Sequence, residues 1–188
     1  EVLLELEDNT EESPDALLAI IDRDDVEEEA VERLLTHQTT FIPALEDVPA
    51  RWVPKLFDLG RIQPTWSNCL AFMDAEGYEE EQLADYLARD EVRATILQEP
   101  IPDDDGAARL RRFLLNADSL GEEAYRDYVA ALPRPFKAFP EGIGSAKSQI
   151  LIDEQKIVFA KDTFEALARD SDLQVSFLAS NIETYLAG

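Results

Sequence analysis

The sequence has one cysteine, Cys69, and one histidine, His37. A single cysteine excludes an internal disulfide framework and a zinc site built on several thiolates. The lone histidine has no second imidazole for a metal site; near a predicted helix end, it suits a capping donor or a cation. No run of about 18 apolar residues occurs, so no membrane-spanning helix is predicted. A secretory signal is also missing, and we expect a cytoplasmic protein.

Basic residues are scarce, with 17 of them against 41 acidic residues and a formal net charge of −24. The largest basic cluster, Arg109, Arg111 and Arg112, is too small to hold a phosphate backbone, so direct nucleic-acid binding is not expected. Residues 1–32 contain 14 acidic residues and one base. Such acidity is typical of a solvated surface, and it also fits a protein that mimics nucleic acid and occupies a basic groove.

The chain begins at Glu1 without an initiator methionine, and we expect an excised piece of a longer polypeptide. Its 188 residues suit one domain or a pair of small lobes. The best internal boundary is 99–106, which contains two prolines, a glycine and three consecutive aspartates. We predict a first lobe over 1–98 and a second over 107–188, joined by this linker and packed as one unit.

Short segments with apolar residues at helical spacing predict an all-α fold. The predicted helices are one opened by Ser13-Pro14-Asp15, then 26–35, 50–59, one between Thr65 and Gly77, one or two over 79–98, then 107–116, 121–132, 145–153, 162–169 and 172–186. Gly60 follows the third helix, where a left-handed C-terminal cap is expected. Trp52, Trp66 and Cys69 lie on apolar faces and are predicted to be core, not a partner surface or a nucleophile.

The chain is similar to itself at a shift of about 95 residues, which predicts an internal duplication. A shift of 94 lays 20–30 on 114–124, and each copy reads as an apolar pair, a short turn and an acidic helix start. A shift of 95 lays Arg61-Ile62 on Lys156-Ile157, and 82–84 on 177–179. Units of helix, turn and helix bury their apolar sides by stacking, so we predict a solenoid-like array of helical hairpins.

Residues 150–159 allow two structures. Ile157 and Val158 favour strands, which indicates a short hairpin around 153–155. The duplication instead predicts a helix over 145–153, with Ile157 plugging the turn that follows. We adopt the helix and turn as our prediction.

The segment Gly142-Ile-Gly-Ser-Ala-Lys147-Ser148 resembles a phosphate-binding loop but fails its requirements. That loop needs glycine directly before Lys-Ser so that the backbone can wrap the phosphates. Ala146 stands there, and Glu141 stands where the first glycine belongs and would repel phosphate. We predict a connection between helices that binds no nucleotide or other cofactor.

Two aspartate clusters, at 22–25 and at 103–105, suggest calcium loops. Neither has the glycine at position six or the glutamate at position twelve that an EF-hand needs. Helix capping is therefore the better explanation for both clusters. We assign no catalytic, cofactor-binding or metal-binding residue from the sequence.

Two segments share a pattern of helices joined by short turns. They are Trp52-Val-Pro-Lys-Leu-Phe-Asp-Leu-Gly-Arg-Ile-Gln-Pro-Thr-Trp-Ser-Asn-Cys-Leu-Ala-Phe72 and Lys156-Ile-Val-Phe-Ala-Lys-Asp-Thr-Phe-Glu-Ala-Leu167. Both are similar to the C-terminal helical region of large bacterial P-loop NTPases called YobI-like, where such units recur in tandem. The resemblance implies a tail that senses, scaffolds or binds a partner, while an N-terminal ATPase supplies hydrolysis. It carries no catalytic residue over to this chain.

We therefore predict a non-catalytic helical repeat module of a larger bacterial protein, which presents an acidic surface to a protein partner or to sibling domains. The alternative is a free-standing acidic protein that mimics nucleic acid and inhibits a basic nucleic-acid-binding enzyme. A third hypothesis is a small enzyme, which requires a cleft with strongly shifted carboxylate pKa values. Acidic pairs such as Glu28 and Glu32 do not support it, because 41 acidic residues produce such pairs by chance.

Overall fold

The computed structural model describes residues 14–21, 23, 26–37, 41–75, 77–140, 142–158, 160–167 and 169–182. The chain divides into two compact units, Glu1–Ile96 and Leu97–Gly188, called unit 1 and unit 2 below. The described residues form helices and two isolated β-bridges but no extended strand, which confirms the all-α prediction. Within these ranges, every helix is too short or too polar to cross a membrane.

Unit 1 consists of short helices, and most of the connections between them contain proline or glycine. The helices are α1 (Pro14–Ile21), α2 (Glu28–His37), α3 (Val53–Asp58), α4 (Trp66–Asp74), α5 (Glu80–Ala88) and α6 (Asp90–Ile96), with 3₁₀ turns at Leu45–Asp47 and Ala50–Trp52. Gly60 has a φ of 64° after α3, as the predicted left-handed cap requires. Thr65 caps α4, because its side chain accepts the backbone N–H of Asn68. Arg89 separates α5 from α6.

Aromatic rings form the centre of unit 1. Phe57 of α3 stacks on Phe72 of α4 with ring centroids 4.0 Å apart, and Tyr86 of α5 meets Phe57 edge-on at 4.8 Å. The Tyr86 hydroxyl donates a hydrogen bond of 2.8 Å to the Ile62 carbonyl, so this buried polar group is satisfied. These contacts join three helices into one core.

Unit 2 has a similar succession of short helices. They are α7 (Ala108–Asn116), α8 (Glu122–Ala131), α9 (Ser145–Asp153), α10 (Lys161–Leu167) and α11 (Ser171–Ser180), with a 3₁₀ turn at Asp118–Leu120. The described part of 150–159 is a helix and a turn, because α9 ends at Asp153 and Gln155 turns with a φ of 55°. Ile157, which the sequence predicts to fill this turn, also forms an isolated parallel bridge with Phe136. Aliphatic Leu151, Ile152 and Leu167 pack in the core with the ring of Phe177, and three further aromatic residues are buried: Phe113, Tyr125 and Tyr128.

The predicted linker over 99–106 packs against unit 2. Ile101 is buried. Asp103 pairs with Arg111 at 3.6 Å and with Arg134 at 2.7 Å. One buried isoleucine and two arginine partners therefore fix the predicted linker to unit 2.

Helices of the two units occur at nearly constant sequence spacing. α7 begins 94 residues after α1, α8 begins and ends 94 residues after α2, and α10 begins 95 residues after α4. The 3₁₀ turn and α3 together span 50–58, which is 95 residues before α9. α11 begins only 91 residues after α5, so the predicted match of 82–84 with 177–179 is not reproduced: Ala84 is fully buried and Ala179 is exposed.

Candidate functional site

A parallel bridge in unit 1 ties the segment before α3 to the turn after it. The Ile42 N–H donates to the Arg61 carbonyl at 2.8 Å, and the Gln63 N–H donates to the Ile42 carbonyl at 2.9 Å. The Arg61 N–H donates to the Leu56 carbonyl at 2.8 Å, which fixes the turn to α3. Phe41 and Gln63, next to the bridge, are exposed at the surface.

Unit 2 contains the same bridge between the corresponding segments. The Phe136 N–H donates to the Lys156 carbonyl, and the Val158 N–H donates to the Phe136 carbonyl, both at 2.7 Å. The Lys156 N–H donates to the Leu151 carbonyl at 2.8 Å. Donors, acceptors and direction are those of unit 1, at positions 94 or 95 residues later.

Asn68 holds the two bridged segments of unit 1 together. Its Nδ2 donates to the carbonyls of Pro43 and Gln63, both at 2.9 Å. Its Oδ1 accepts the Leu45 N–H at 3.2 Å. Because Asn68 is only 4% exposed, loss of the amide would leave these backbone groups without their partner.

Thr163 of α10 occupies the corresponding position, 95 residues after Asn68, and it is fully buried. Its hydroxyl is 3.1 Å from the Val158 carbonyl and 2.6 Å from the Ala160 carbonyl, and it accepts the Ala160 N–H at 3.0 Å. Each unit therefore uses a buried polar side chain to hold the carbonyl that follows its bridge.

Beside the bridge of unit 1 lies a concave pocket of about 660 Å³, which we call the Phe41 pocket. Its walls include Phe41, Arg61, Gln63, Arg89, Glu91 and Val92. Phe41 is 48% exposed, whereas large aromatic side chains are usually well buried. Pockets of about 300–1,000 Å³ with apolar walls and a few polar groups are the usual form of ligand sites.

The Phe41 pocket is positively charged although unit 1 is strongly acidic. Unit 1 has 25 acidic and 7 basic residues, a formal net charge of −18. Two of these bases, Arg61 and Arg89, line the pocket beside one acidic residue, Glu91. The Arg61 Nε is buried and has no hydrogen-bond partner within the described ranges.

Arg89 is fixed by contacts with α3 and α5. One of its terminal nitrogens donates to the Asp58 carbonyl at 2.6 Å, and its guanidinium lies 5.9 Å from the Tyr86 ring centroid. Gly60 leaves room for this arrangement, because a Cβ there would collide with Arg89 Nη1. The positive φ favours glycine here, and a larger residue would also displace the end of the Arg89 side chain.

Unit 2 has a pocket of about 560 Å³ beside Phe136, which we call the Phe136 pocket. Its walls include Arg111, Arg112, Leu115, Asn116, Phe136 and Pro140. Arg111 is engaged by unit 2 itself, since it donates to the Pro102 carbonyl at 2.7 Å and pairs with Asp103 at 3.6 Å. The charge of Arg111 is thereby partly neutralised, whereas Arg61 has no acidic partner in the part of the chain that the structure describes.

Lys147, from the segment that resembles a phosphate-binding loop, stabilises the end of α7. Its Nζ donates to the Asn116 carbonyl at 2.7 Å and to Asp118 at 2.8 Å, and it lies 5.3 Å from the Tyr125 ring centroid. The hydrogen bond and charge of Lys147 lower the pKa of Asp118. Glu141, from the same segment, is outside the described residues.

Three sequence predictions for single residues are confirmed. His37 ends α2, and its Nδ1 donates to the Arg33 carbonyl at 2.7 Å. Cys69 is fully buried, and burial raises the pKa of its thiol to about 12, which makes it a poor nucleophile at neutral pH. Trp52 and Trp66 are buried in unit 1.

Among the aspartates at 103–105, Asp104 closes the turn before α7, since its Oδ1 accepts the Ala107 N–H at 3.0 Å; the N-cap residue of α7 is Ala107, so this is not the helix cap that the sequence predicts. The cluster at 22–25 lies largely outside the described residues. In the part of the chain that the structure describes, no three His, Cys, Asp or Glu side chains are placed to hold a metal ion.

Glu32 joins α2 to α3 through an ion pair with Lys55 at 3.4 Å, while the side chain of Glu28 is outside the described part. Arg126 of α8 lies 94 residues after Glu32 and pairs with Glu154, the residue after α9, at 3.1 Å. The hydrogen bond to Glu154 is the main cause that raises the pKa of Arg126. Glu32 and Arg126, at corresponding positions, thus make ion pairs of opposite sign, although their partners Lys55 and Glu154 do not correspond.

Sequence reasoning did not identify Asn68, Thr163 or the exposed Phe41. Polar residues on an apolar helix face gave no sign of which backbone groups they would meet after folding. One signal was available, because the match of Arg61-Ile62 with Lys156-Ile157 marks the bridge in both units.

No protein-family model, curated protein or solved structure is detectably similar to this chain. The similarity of 52–72 and 156–167 to the YobI-like region stays a prediction. What the described residues provide is the geometry of two bridges and the pockets beside them.

Proposed function

We propose that the chain is a non-enzymatic, cytoplasmic binding module of a larger bacterial protein, and that its Phe41 pocket takes a segment of a protein partner. The observation that carries the proposal is this pocket, in which an exposed ring and two arginines meet in a unit with a net charge of −18. Exposed aromatic rings and arginines are the side chains that most often dominate binding energy at protein interfaces.

We also propose that the module consists of two copies of one unit of about 95 residues, each a set of stacked helical hairpins. The matched helix spacing, the two bridges and the two buried polar side chains support this. Matching helix positions alone would be weak support for a duplication, because short amphipathic helices are common. The hydrogen-bond pattern of the bridge is a more specific similarity.

A binding role is also supported by what the charged side chains do. Lys147 and Arg126 have structural partners, and the Cys69 thiol is buried in its protonated form. A carboxylate enzyme requires an acid whose pKa is raised towards neutrality. The pKa of Asp118 is shifted in the opposite direction by Lys147.

Capture experiments with the whole chain test this function. The immobilised chain is incubated with a lysate of its source cells, in parallel with Phe41→Ala and Val175→Ala variants. Val175 is a matched control, since it is an apolar residue with 66% exposure in unit 2. We expect a protein retained by the wild type and by Val175→Ala but lost with Phe41→Ala. Equal retention by all three chains, or retention of nothing, would contradict the proposal.

The charge of unit 1 favours a second candidate, an inhibitor that mimics nucleic acid and occupies a basic groove. Such binding is dominated by charge and weakens steeply as salt rises. A captured partner that is a basic nucleic-acid enzyme, released by salt and indifferent to Phe41→Ala, would favour this candidate. Retention that persists at high salt and needs Phe41 would remove it.

A further inference from the structure

We propose that the Phe41 pocket recognises the C-terminal residue of a peptide, with the free carboxylate on Arg61 and Arg89 and the apolar side chain on the surface formed by Phe41 and Val92. This inference rests on the proposed function, because it names the chemistry of the partner segment that the pocket takes.

Two guanidinium groups in the pocket wall point to a carboxylate, because Arg61 and Arg89 both line it. A carboxylate is planar and accepts two parallel hydrogen bonds from the edge of a guanidinium. Arg89 adds a second positive charge at a fixed position, because the Asp58 carbonyl holds it at 2.6 Å.

The apolar wall specifies what is attached to the carboxylate. Phe41 is half-exposed beside the arginines, and Val92 lines the same pocket. Covering this ring removes apolar area from water, which favours an aromatic or aliphatic group. A volume of about 660 Å³ exceeds the needs of a single amino acid, so it leaves room for the residues that precede the chain end.

The net charge of unit 1 favours binding of a partner's chain end over binding of a partner segment rich in acidic residues. A segment rich in Asp and Glu would be repelled by a unit that carries −18. A chain end brings one negative charge, next to an apolar side chain, and places it against two guanidinium groups. Repulsion from other acids of unit 1 is reduced, because charges beyond about 8 Å are screened at physiological salt.

Binding of short peptides to the isotope-labelled whole chain tests the inference, with amide chemical shifts as the readout. The probes are acetyl-Ala-Ala-Phe with a free carboxylate, the same peptide as its C-terminal amide, and acetyl-Phe-Ala-Asp amide, whose carboxylate is on a side chain. We expect the free acid to bind about tenfold more tightly than either of the others. The Gln63 and Val92 amides should shift on binding.

Variants distinguish binding of the carboxylate by Arg61 from the effect of removing any positive charge from unit 1. Arg61→Gln should reduce the affinity for the free acid to that for the amide peptide, and Arg61→Lys should give an intermediate affinity. Arg33→Gln removes the same charge from unit 1 at an exposed helix position and should leave the affinity unchanged. Circular dichroism checks that each variant is folded.

Equal affinity for the acid and the amide would overturn the inference, as would equal loss with Arg61→Gln and Arg33→Gln. Binding of the Asp peptide as tightly as the free acid would overturn the assignment to a chain end. Failure of all three peptides would likewise contradict it. A lysate partner that depends on Phe41 would in those cases leave the proposed function standing.

Discussion

Unit 1 groups three aromatic residues at its centre, whereas unit 2 has two aliphatic residues and one phenylalanine at the corresponding places and buries its other rings, Phe113, Tyr125 and Tyr128, on α7 and α8. Phe57 and Phe72 lie 95 residues before Ile152 and Leu167, which are also buried. Tyr86 and Phe177 both pack from the last long helix of their units, but the Tyr86 hydroxyl donates to a bridge carbonyl and Phe177 has no hydroxyl. The backbone arrangement is therefore compatible with very different core side chains, as volume-conserving exchange in other cores also shows.

The comparison extends to charge. Unit 1 has a formal charge of −18, and unit 2, with 16 acidic and 10 basic residues, has −6. The bridges and the buried polar residues are nevertheless alike. We infer that the bridge and its polar support define the unit, while core composition and surface charge vary around them.

The largest expected effects come from two leucines that each lie two residues before the end of their helix, Leu56 in α3 and Leu151 in α9. Leu56 and Leu151 are both fully buried, and their carbonyls accept the first backbone N–H after the turn. Leu56→Ala and Leu151→Ala should each reduce the free energy of unfolding by about 3 kcal/mol, because each leaves a cavity. Urea denaturation measures both losses.

Val175→Ala serves as the control and should cost less than about 0.5 kcal/mol, since this valine is mostly exposed. If one leucine variant lost as little stability as the control, Leu56 and Leu151 would not be equivalent positions. The similarity of the two units would then not extend to this part of the core.

Replacing Asn68 by alanine should destabilise the chain more than replacing Thr163 by alanine. Asn68→Ala removes three side-chain contacts with bridge segments and should cost about 2–3 kcal/mol, and Thr163→Ala should cost about 1–2 kcal/mol. Thermal or urea unfolding measures the difference. Thr163→Ser retains the hydroxyl and should recover most of the loss. Equal stability of Thr163→Ser and Thr163→Ala would show that the hydroxyl contributes nothing.

The helices could be predicted from sequence, but the bridges could not. Helix positions are visible because apolar spacing, Gly60 and Pro64-Thr65 act over a few residues. The bridges join Ile42 to Ile62 and Phe136 to Ile157, segments about twenty positions apart, and the strand preference at 157–158 gave no sign of the partner at Phe136. The pocket was not predictable from local pattern, because Arg61 and Phe41 come together only when folding brings the turn after α3 next to 41–42.

Alkaline pH should distinguish the units because each buries an acidic group. Burial raises the pKa of Cys69 in unit 1 from 9.0 to about 12, and that of Tyr125 in unit 2 from 10.0 to about 12. The stability that each protonated group contributes is complete below its unfolded pKa and is lost as pH rises towards 12.

Unit 1 should therefore begin to lose stability near pH 9 and unit 2 near pH 10. The slope from Cys69 should be about 1 kcal/mol per pH unit. Cys69→Ala should flatten the plot of unfolding free energy against pH from pH 9 upwards, and Tyr125→Phe should flatten it only from pH 10. Urea midpoints across this range provide the measurement. A slope unchanged in Cys69→Ala would contradict this origin.

The smallest effects concern the ion pairs of reversed sign. Glu32→Gln breaks the contact with Lys55, and Arg126→Gln breaks the contact with Glu154. Both pairs are partly exposed, so each variant should lose less than about 1 kcal/mol, and the loss should shrink between about 0.1 M and about 1 M salt. A loss that does not respond to salt would mean that packing, not charge, links these helices.

The most direct test of the common unit is hydrogen exchange at the bridge amides of Ile42, Gln63, Phe136 and Val158. All four should be protected in the wild-type chain, because each donates to a carbonyl across a bridge. Asn68→Ala should accelerate exchange mainly at Ile42 and Gln63, and Thr163→Ala mainly at the other two. Exchange at unprotected rates in the wild type, or acceleration of one bridge by both variants, would contradict two units built on the same bridge.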